Sequence, residues 1–161
     1  MTEQNEPQAS RPSLPDGYGK IDQLLPWSFA RERLEQAQNY WLSTASLDGR
    51  PHAAPLWGAW VDDKLYFEGS PATRWGRNIT SNPQASLHLE SGSQVVIVEG
   101  AIEDHDDVGE ALAVRVGDAF AAKYGGYRSQ GRGFFVLVPR VALGWSEFPK
   151  DATRWRFEVR E

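Results

Sequence analysis

Leu65-Tyr-Phe-Glu-Gly-Ser-Pro-Ala-Thr-Arg-Trp-Gly-Arg-Asn-Ile-Thr-Ser-Asn-Pro83 is the stretch whose reading decides the fold. Leu65 to Glu68 is apolar and aromatic, as a buried strand requires. Gly69-Ser-Pro-Ala ends it. Thr73 is placed to cap a short helix, because its hydroxyl can accept one of the free backbone N–H groups of the first turn. Arg74 and Arg77 then stand near the positive end of the helix dipole, which does not favour cations. An anion beside them resolves the conflict, and phosphate is the natural candidate. The plain alternative is a solvated helix start with two surface arginines.

Working backwards from this stretch, Asp62-Asp63 turns the chain into the Leu65 strand. His52–Val61 reads as the strand before it, with Pro55 and Gly58 marking a bulge or a close approach to a ligand. Leu47-Asp-Gly-Arg50 is a hairpin turn, and Tyr40–Ser46 is the strand that enters it. Three strands in short succession predict an antiparallel meander. Upstream, a helix begins near Ser28, where Ala30, Leu34 and Ala37 share one face. Residues 1–24 are polar and rich in Pro, and read as a flexible arm; residues 25–161 form the domain.

Working forwards, Asn82-Pro83 stops the helix. Ala85–Glu90 alternates as a half-buried strand, and Val95–Val98 is an apolar strand. Asp104–Asp107 reads as an acidic helix start. Val108, Leu112, Val116 and Phe120 recur every four residues after it. Lys123 to Gly133 is a loop, either a lid or a connection. Phe134–Val138, Val141–Trp145 and Thr153–Val159 are further strands. About seven strands with two or three peripheral helices predict a mainly β (α+β) fold, a small antiparallel barrel. Such a barrel fills its own interior, so a ligand belongs in a groove outside it, one completed by a second subunit.

The totals narrow the classes. The chain has 161 residues, 40% of them hydrophobic, which supports one domain with a real core. Seven Trp, seven Phe and five Tyr suit both a core and a site for a planar ligand. A net charge of −5 excludes a general nucleic-acid footprint. Without cysteine there is no disulfide framework and no thiolate chemistry, which is compatible with a cytoplasmic protein. No apolar run suggests a leader peptide or membrane contact. The three histidines, His52, His88 and His105, are too scattered for a metal cluster, and no metal is expected.

The order of segments resembles the pyridoxamine 5′-phosphate oxidase-like split β-barrel family, and within it the flavin/deazaflavin oxidoreductase branch. The matching parts are Tyr40-Trp-Leu-Ser-Thr44, Asp48-Gly-Arg-Pro-His52, Pro55-Leu-Trp57, Leu65-Tyr-Phe67, Thr73-Arg-Trp-Gly-Arg-Asn-Ile79, Asn82-Pro83 and Val98-Glu-Gly100. The resemblance spans residues 28–159. It implies an FMN-binding type of barrel, a homodimer, and a cofactor, F420 or FMN, that performs hydride transfer with a small-molecule substrate. The branch resemblance favours F420. A non-catalytic binder of a flavin- or haem-type ligand is the alternative. The substrate-binding residues of pyridoxamine phosphate oxidation itself are not recognisable.

The family pattern Ser/Thr-Arg-Lys-x-x-Asn/Gln-Leu, whose hydroxyl and basic residues hold the cofactor phosphate, carries over to Thr73 and Arg74, and less directly to Arg77 and Asn78. Trp75 stands where Lys is usual, so one phosphate cation is missing or replaced by Arg77. The resemblance places the ring system along His52–Trp57 and Glu68–Ser70, so His52, Pro55, Trp57, Glu68, Gly69 and Ser70 join the expected site. Trp57 and Trp60 are either walls of the groove or core. The C-terminal Trp and Arg that complete the site in some members, from the partner chain, correspond to Trp145 and Arg154. Arg154 and Arg156 would share one strand face, with Trp155 on the other. No side chain is nominated as catalytic.

Overall fold

The computed structural model describes residues 6–129 and 132–159. They form nine strands and three helices: β1 (Gln8–Ser10), α1 (Trp27–Gln36), β2 (Tyr40–Ala45), β3 (Pro51–Leu56), β4 (Ala59–Val61), β5 (Lys64–Phe67), α2 (Arg74–Ser81), β6 (Gln84–His88), β7 (Val95–Asp107), α3 (Glu110–Lys123), β8 (Arg132–Trp145) and β9 (Thr153–Arg156). One antiparallel sheet runs in the order β1-β9-β8-β7-β6-β2-β3, and the β4–β5 hairpin joins it through β5 and β8. The architecture is a mainly β split barrel.

Period-two alternation sorts side chains onto two faces of the sheet. Ala9, Trp155, Ala142, Val98, Leu87, Leu42 and Ala54 are successive cross-strand partners from β1 to β3. Those from Trp155 to Leu42 are fully buried. This row is the barrel floor, and Trp27, Leu34, Phe67, Trp75 and Phe135 close over it. A second cluster lies under α3, where Val116, Phe120 and Tyr124 meet Tyr66, Phe134 and Val136.

Four expectations change. The meander stops at β3: Gly58 breaks the chain, and β5 pairs with β8 instead of β3. A Cβ at Gly58 would lie 2.8 Å from Leu65 Cδ1, so β4 can fold back this closely only at glycine. Asp104–Asp107 is not a helix start. The ladder with β8 carries β7 through Asp107, opposite Arg132, and the helix begins only after Gly109, whose φ of +86° breaks the strand. The two strands expected around Pro139 are one, because Pro139 faces Gly100 beside a bulge in β8, where Arg140 is the extra residue, and the irregular ladder there tolerates the missing N–H. In the arm, Gln8–Ser10 is ordered as a strand on β9. Residues 1–5 of the arm, and Gln130 and Gly131 of the loop, lie outside the described residues. No helix among the described residues is long and apolar enough to cross a membrane.

The bulge provides a test. A Cβ at Gly100 would lie 2.1 Å from the Val138 carbonyl oxygen, a backbone atom that cannot rotate away. Gly100→Ala is therefore expected to cost about 2 kcal/mol or more, at the upper end for overpacking. Urea denaturation reads this directly, and an unchanged midpoint would show that β7 and β8 are not packed so closely.

Candidate functional site

α2 is built as its sequence suggested. Thr73 caps it, its Oγ1 accepting from the Gly76 amide at 3.0 Å and donating to the Ser70 carbonyl at 2.8 Å. The Thr73 hydroxyl proton is thus already used. Trp75, which stands in the place of the usual Lys, is buried against Phe67 and Phe135 at ring-centroid distances of 5.5 and 5.1 Å. Burial of Trp75, Asn78 and Ile79 sets the rotation of the helix and turns Arg74 and Arg77 outward. Arg77 reaches back to the Ala72 carbonyl at 3.4 Å. Arg74 has no hydrogen bond or ion pair among the described residues, and neither do the backbone N–H groups of Arg74 and Trp75. A cation and two free amides thus share one helix start, which is the composition of an anion site.

Other expected residues are spent on structure. Asn78 is buried, and its Nδ2 donates to Thr44 Oγ1 at 3.1 Å, tying α2 to β2. His52 pairs with Thr44 across the ladder and shares its inward face. Its ring is therefore on the wrong side of β3 for an outer groove. Trp60 is core.

The outer face carries its own row: Pro55, Trp41, His88, Ile97, Leu143, Arg154 and Ser10 are successive cross-strand partners. Arg154 therefore lies on the same face as Pro55, but five ladder steps away, and its Nε donates to Ser10 Oγ at 3.2 Å. Trp155 points into the core and Arg156 outward, as the alternation required. Trp145 pairs with Val95 at the far end of β8 and touches Phe148. Within one chain, neither Trp145 nor Arg154 adjoins α2 in the sheet order. Among the described residues β3 ends the sheet and has one ladder partner, so its other edge is unpaired.

Around the Gly58 break, the expected Trp57 and Glu68 meet Lys123, Tyr124 and Tyr127, which the sequence reading did not single out for the site. Tyr124 at the end of α3 accepts from the Gly58 amide at 3.0 Å, and its hydroxyl donates to the Gln38 carbonyl at 2.9 Å. Trp57 lies flat on Tyr124, ring centroids 4.4 Å apart and 8° between planes, yet is 54% exposed. Tyr127 stands edge-on to Trp57 and donates to Glu68 Oε2 at 3.0 Å. That bond to a carboxylate pushes the Tyr127 hydroxyl pKa up. Lys123 Nζ bonds the Ala37 carbonyl and Tyr40 Oη, both at 2.8 Å, and burial lowers its pKa to about 8. The signal was present: Tyr124 continues the four-residue repeat of Val116 and Phe120 by one step, into the stretch that reads as a loop.

Two clefts open elsewhere. One of about 280 Å³ is lined by Arg31, Glu35, Trp60, Asp63 and the Asp62–Arg115 pair; the other, about 290 Å³, lies between the end of α1 and the β6–β7 turn. Of the residues considered for the expected site, Trp60 alone lines either of them. Arg74, Gly69, Ser70, Pro55 and Trp57 are each exposed in the single chain.

Residues 28–146 match the sequence model of the pyridoxamine 5′-phosphate oxidase family. The chain belongs to that family. Solved structures with the same fold include an F420 reductase at 22% identity, with 80% of this chain and 98% of that one covered and a TM-score of 0.54. A heme binding protein from Mycobacterium smegmatis aligns at 20% identity over 80% of this chain and 58% of its own, TM-score 0.60. The heme storage protein HutZ from Vibrio cholerae aligns at 20% identity over 71% and 87%, TM-score 0.53. No curated protein matches the sequence significantly. At these identities the likeness establishes the split barrel that this member shares with them.

Lys123 gives this subsection its test. Its ammonium deprotonates near 8 in the folded chain, against 10.5 for an unperturbed lysine. Between those values the unfolded state binds more protons, so the contribution of Lys123 makes stability rise with pH, by at most about 1.4 kcal/mol per unit. Wild type minus Lys123→Met, followed by denaturant midpoints from pH 7 to 10, should show that slope. A flat difference would place the ammonium in water rather than beneath the aromatic cluster.

Proposed function

We propose that this family member is a homodimeric oxidoreductase. It would bind F420 or FMN in an outer groove and transfer hydride to or from a small organic substrate. The observation that carries the reading is the start of α2, where the exposed, unpartnered Arg74 guanidinium adjoins two free backbone amides. This set suits the phosphate or phosphodiester tail that both cofactors carry. The free edge of β3, with Pro55 on its outer face and Gly69–Ser70 at the end of β5, offers backbone polar groups beside small side chains. A fused ring needs such flat, sparsely polar surroundings. The cofactor, when bound, supplies the hydride chemistry. The chain's own part is to hold the tail with Arg74 and to orient the ring.

The branch resemblance and the fold shared with an F420 reductase favour F420 over FMN. Half-exposed Trp41, Ile97, Leu143 and Trp145 give the outer sheet face an apolar surface, which supports a second copy seated there. Across such an interface, Trp145 and Arg154 of one copy would come within reach of the other copy's α2, which one chain alone does not achieve.

A haem-type ligand is the second reading, and His88 favours it. Its Nδ1 lies 2.8 Å from the Leu89 carbonyl, an oxygen that can only accept, so Nδ1 carries the proton and Nε2 keeps its lone pair for a metal. The ring stacks on Trp41 on the outer face.

Titrating the protein with F420, FMN and hemin, followed by absorbance, separates these readings. F420 should bind, and Arg74→Ala should weaken it about ten-fold or more, the effect of about 1.4 kcal/mol from a lost charge-assisted contact. Hemin binding abolished by His88→Ala, without F420 or FMN binding, would replace the oxidoreductase reading. Leu143→Glu should shift the sedimenting species from dimer to monomer; an unaltered dimer would move the interface elsewhere.

A further inference from the structure

We propose that the open surface of Trp57, rimmed by Tyr127 and Glu68, is a binding site for the cationic head of an organic ammonium compound. It borders the proposed cofactor groove, but it rests on these side chains alone and needs no cofactor.

An indole that is 54% exposed wastes apolar area unless something covers it. Tyr124 holds Trp57 flat from one side, and the Tyr124 hydroxyl is itself fixed to the backbone at Gly58 and Gln38. Tyr127 sets a third ring at its margin, 6.4 Å between centroids and inclined by 63°. Three electron-rich rings, one of them an exposed Trp, attract a cation through their quadrupoles.

Charge then decides between a cation and a neutral planar guest. Glu68 has no cationic partner among the described residues. Its Oε2 accepts from the neutral Tyr127 phenol, and its Oε1 is out of contact with water with no hydrogen bond. Arg74, across the Gly69–Ser70 turn, makes no ion pair with it, and two other cations are committed elsewhere. Arg128 pairs with Asp118 at 2.7 Å. Lys123 stands 5.1 Å from the Tyr124 ring, with its Nζ held by the Ala37 carbonyl and Tyr40. A carboxylate left uncompensated behind an aromatic rim is costly without a guest and is relieved by one of positive charge. A methylated ammonium, weakly hydrated and broad, fits a rim of ring faces better than a compact ammonium that prefers water.

Choline and its neutral isostere 3,3-dimethyl-1-butanol differ in charge and hardly in shape. Calorimetric titration of both into the full chain is the experiment. Choline should bind about ten-fold tighter or better. Trp57→Leu should remove most of that preference, and so should Glu68→Gln, which preserves the shape of the side chain. Equal affinity for the two probes overturns the proposal. So does a charge preference that survives Trp57→Leu or, should that variant fail to fold, Glu68→Gln.

Discussion

The burial of Trp75 against Phe67 and Phe135 is the contact on which the site depends. It needs Gly69, because a Cβ there would fall 2.4 Å from the indole ring. It also needs the Thr73 cap, which starts the helix at the residue that lets Trp75 drop into the core. Once Trp75 is in, a helix of 3.6 residues per turn leaves Arg74 no inward direction. The outward guanidinium is thus a consequence of core packing one residue away. The same fact explains the departure from the family's Lys: this chain uses that position for hydrophobic closure. Under the proposed function, anion binding would then fall to one side chain and the helix's own amides.

What could be read from the sequence, and what could not, follows from the range of the forces involved. The Thr73 cap, the Asp48-Gly49 and Asp62-Asp63 turns and the opposite faces of Arg154 and Trp155 are set by neighbours within four residues. Each was legible. The inward turn of His52 was not, since register with Thr44 decides it and a slip of one residue would reverse it. The role of Asn78 as a tether to Thr44 is a contact across 34 residues. The extension of β7 through Asp107 depends on β8, which is found only later in the chain. An acidic run beside a partner strand and one at a helix start look alike in one dimension.

Two residues that resemblance assigned to the cofactor, Trp145 and Arg154, show where single-chain reasoning stops. They share the outer face with Pro55 because the period-two pattern passes through six ladders without interruption. Sharing a face is not adjacency: Arg154 bonds Ser10 and lies five strands from β3. In the proposed dimer, a second molecule would join the two ends of this face, whose middle carries half-buried apolar residues. This is why the expected site looks incomplete in one chain, although each of its parts is ordered.

The chain carries a net charge of −5, yet Arg74 and Glu68, two charges without an ion pair among the described residues, are of opposite sign. Arg74 and Glu68 flank the Gly69–Ser70 turn, and neither has an ionic partner among the described residues. They do not neutralise each other because each is anchored from its own element. Glu68 is held by Tyr127 at the end of a strand, and Arg74 by the rotation that buried Trp75 imposes. The turn between them is itself pinned by Ser70 and Thr73 hydrogen bonds, so it cannot fold to bring the charges together. Separated charges held by a rigid frame produce a field with a direction, and a ligand with unlike ends can lie along it in only one sense. Orientation of that kind costs the protein no reorganisation when the ligand arrives. Under the proposed function, this frame would contribute to the transfer reaction by deciding which way round its guests lie.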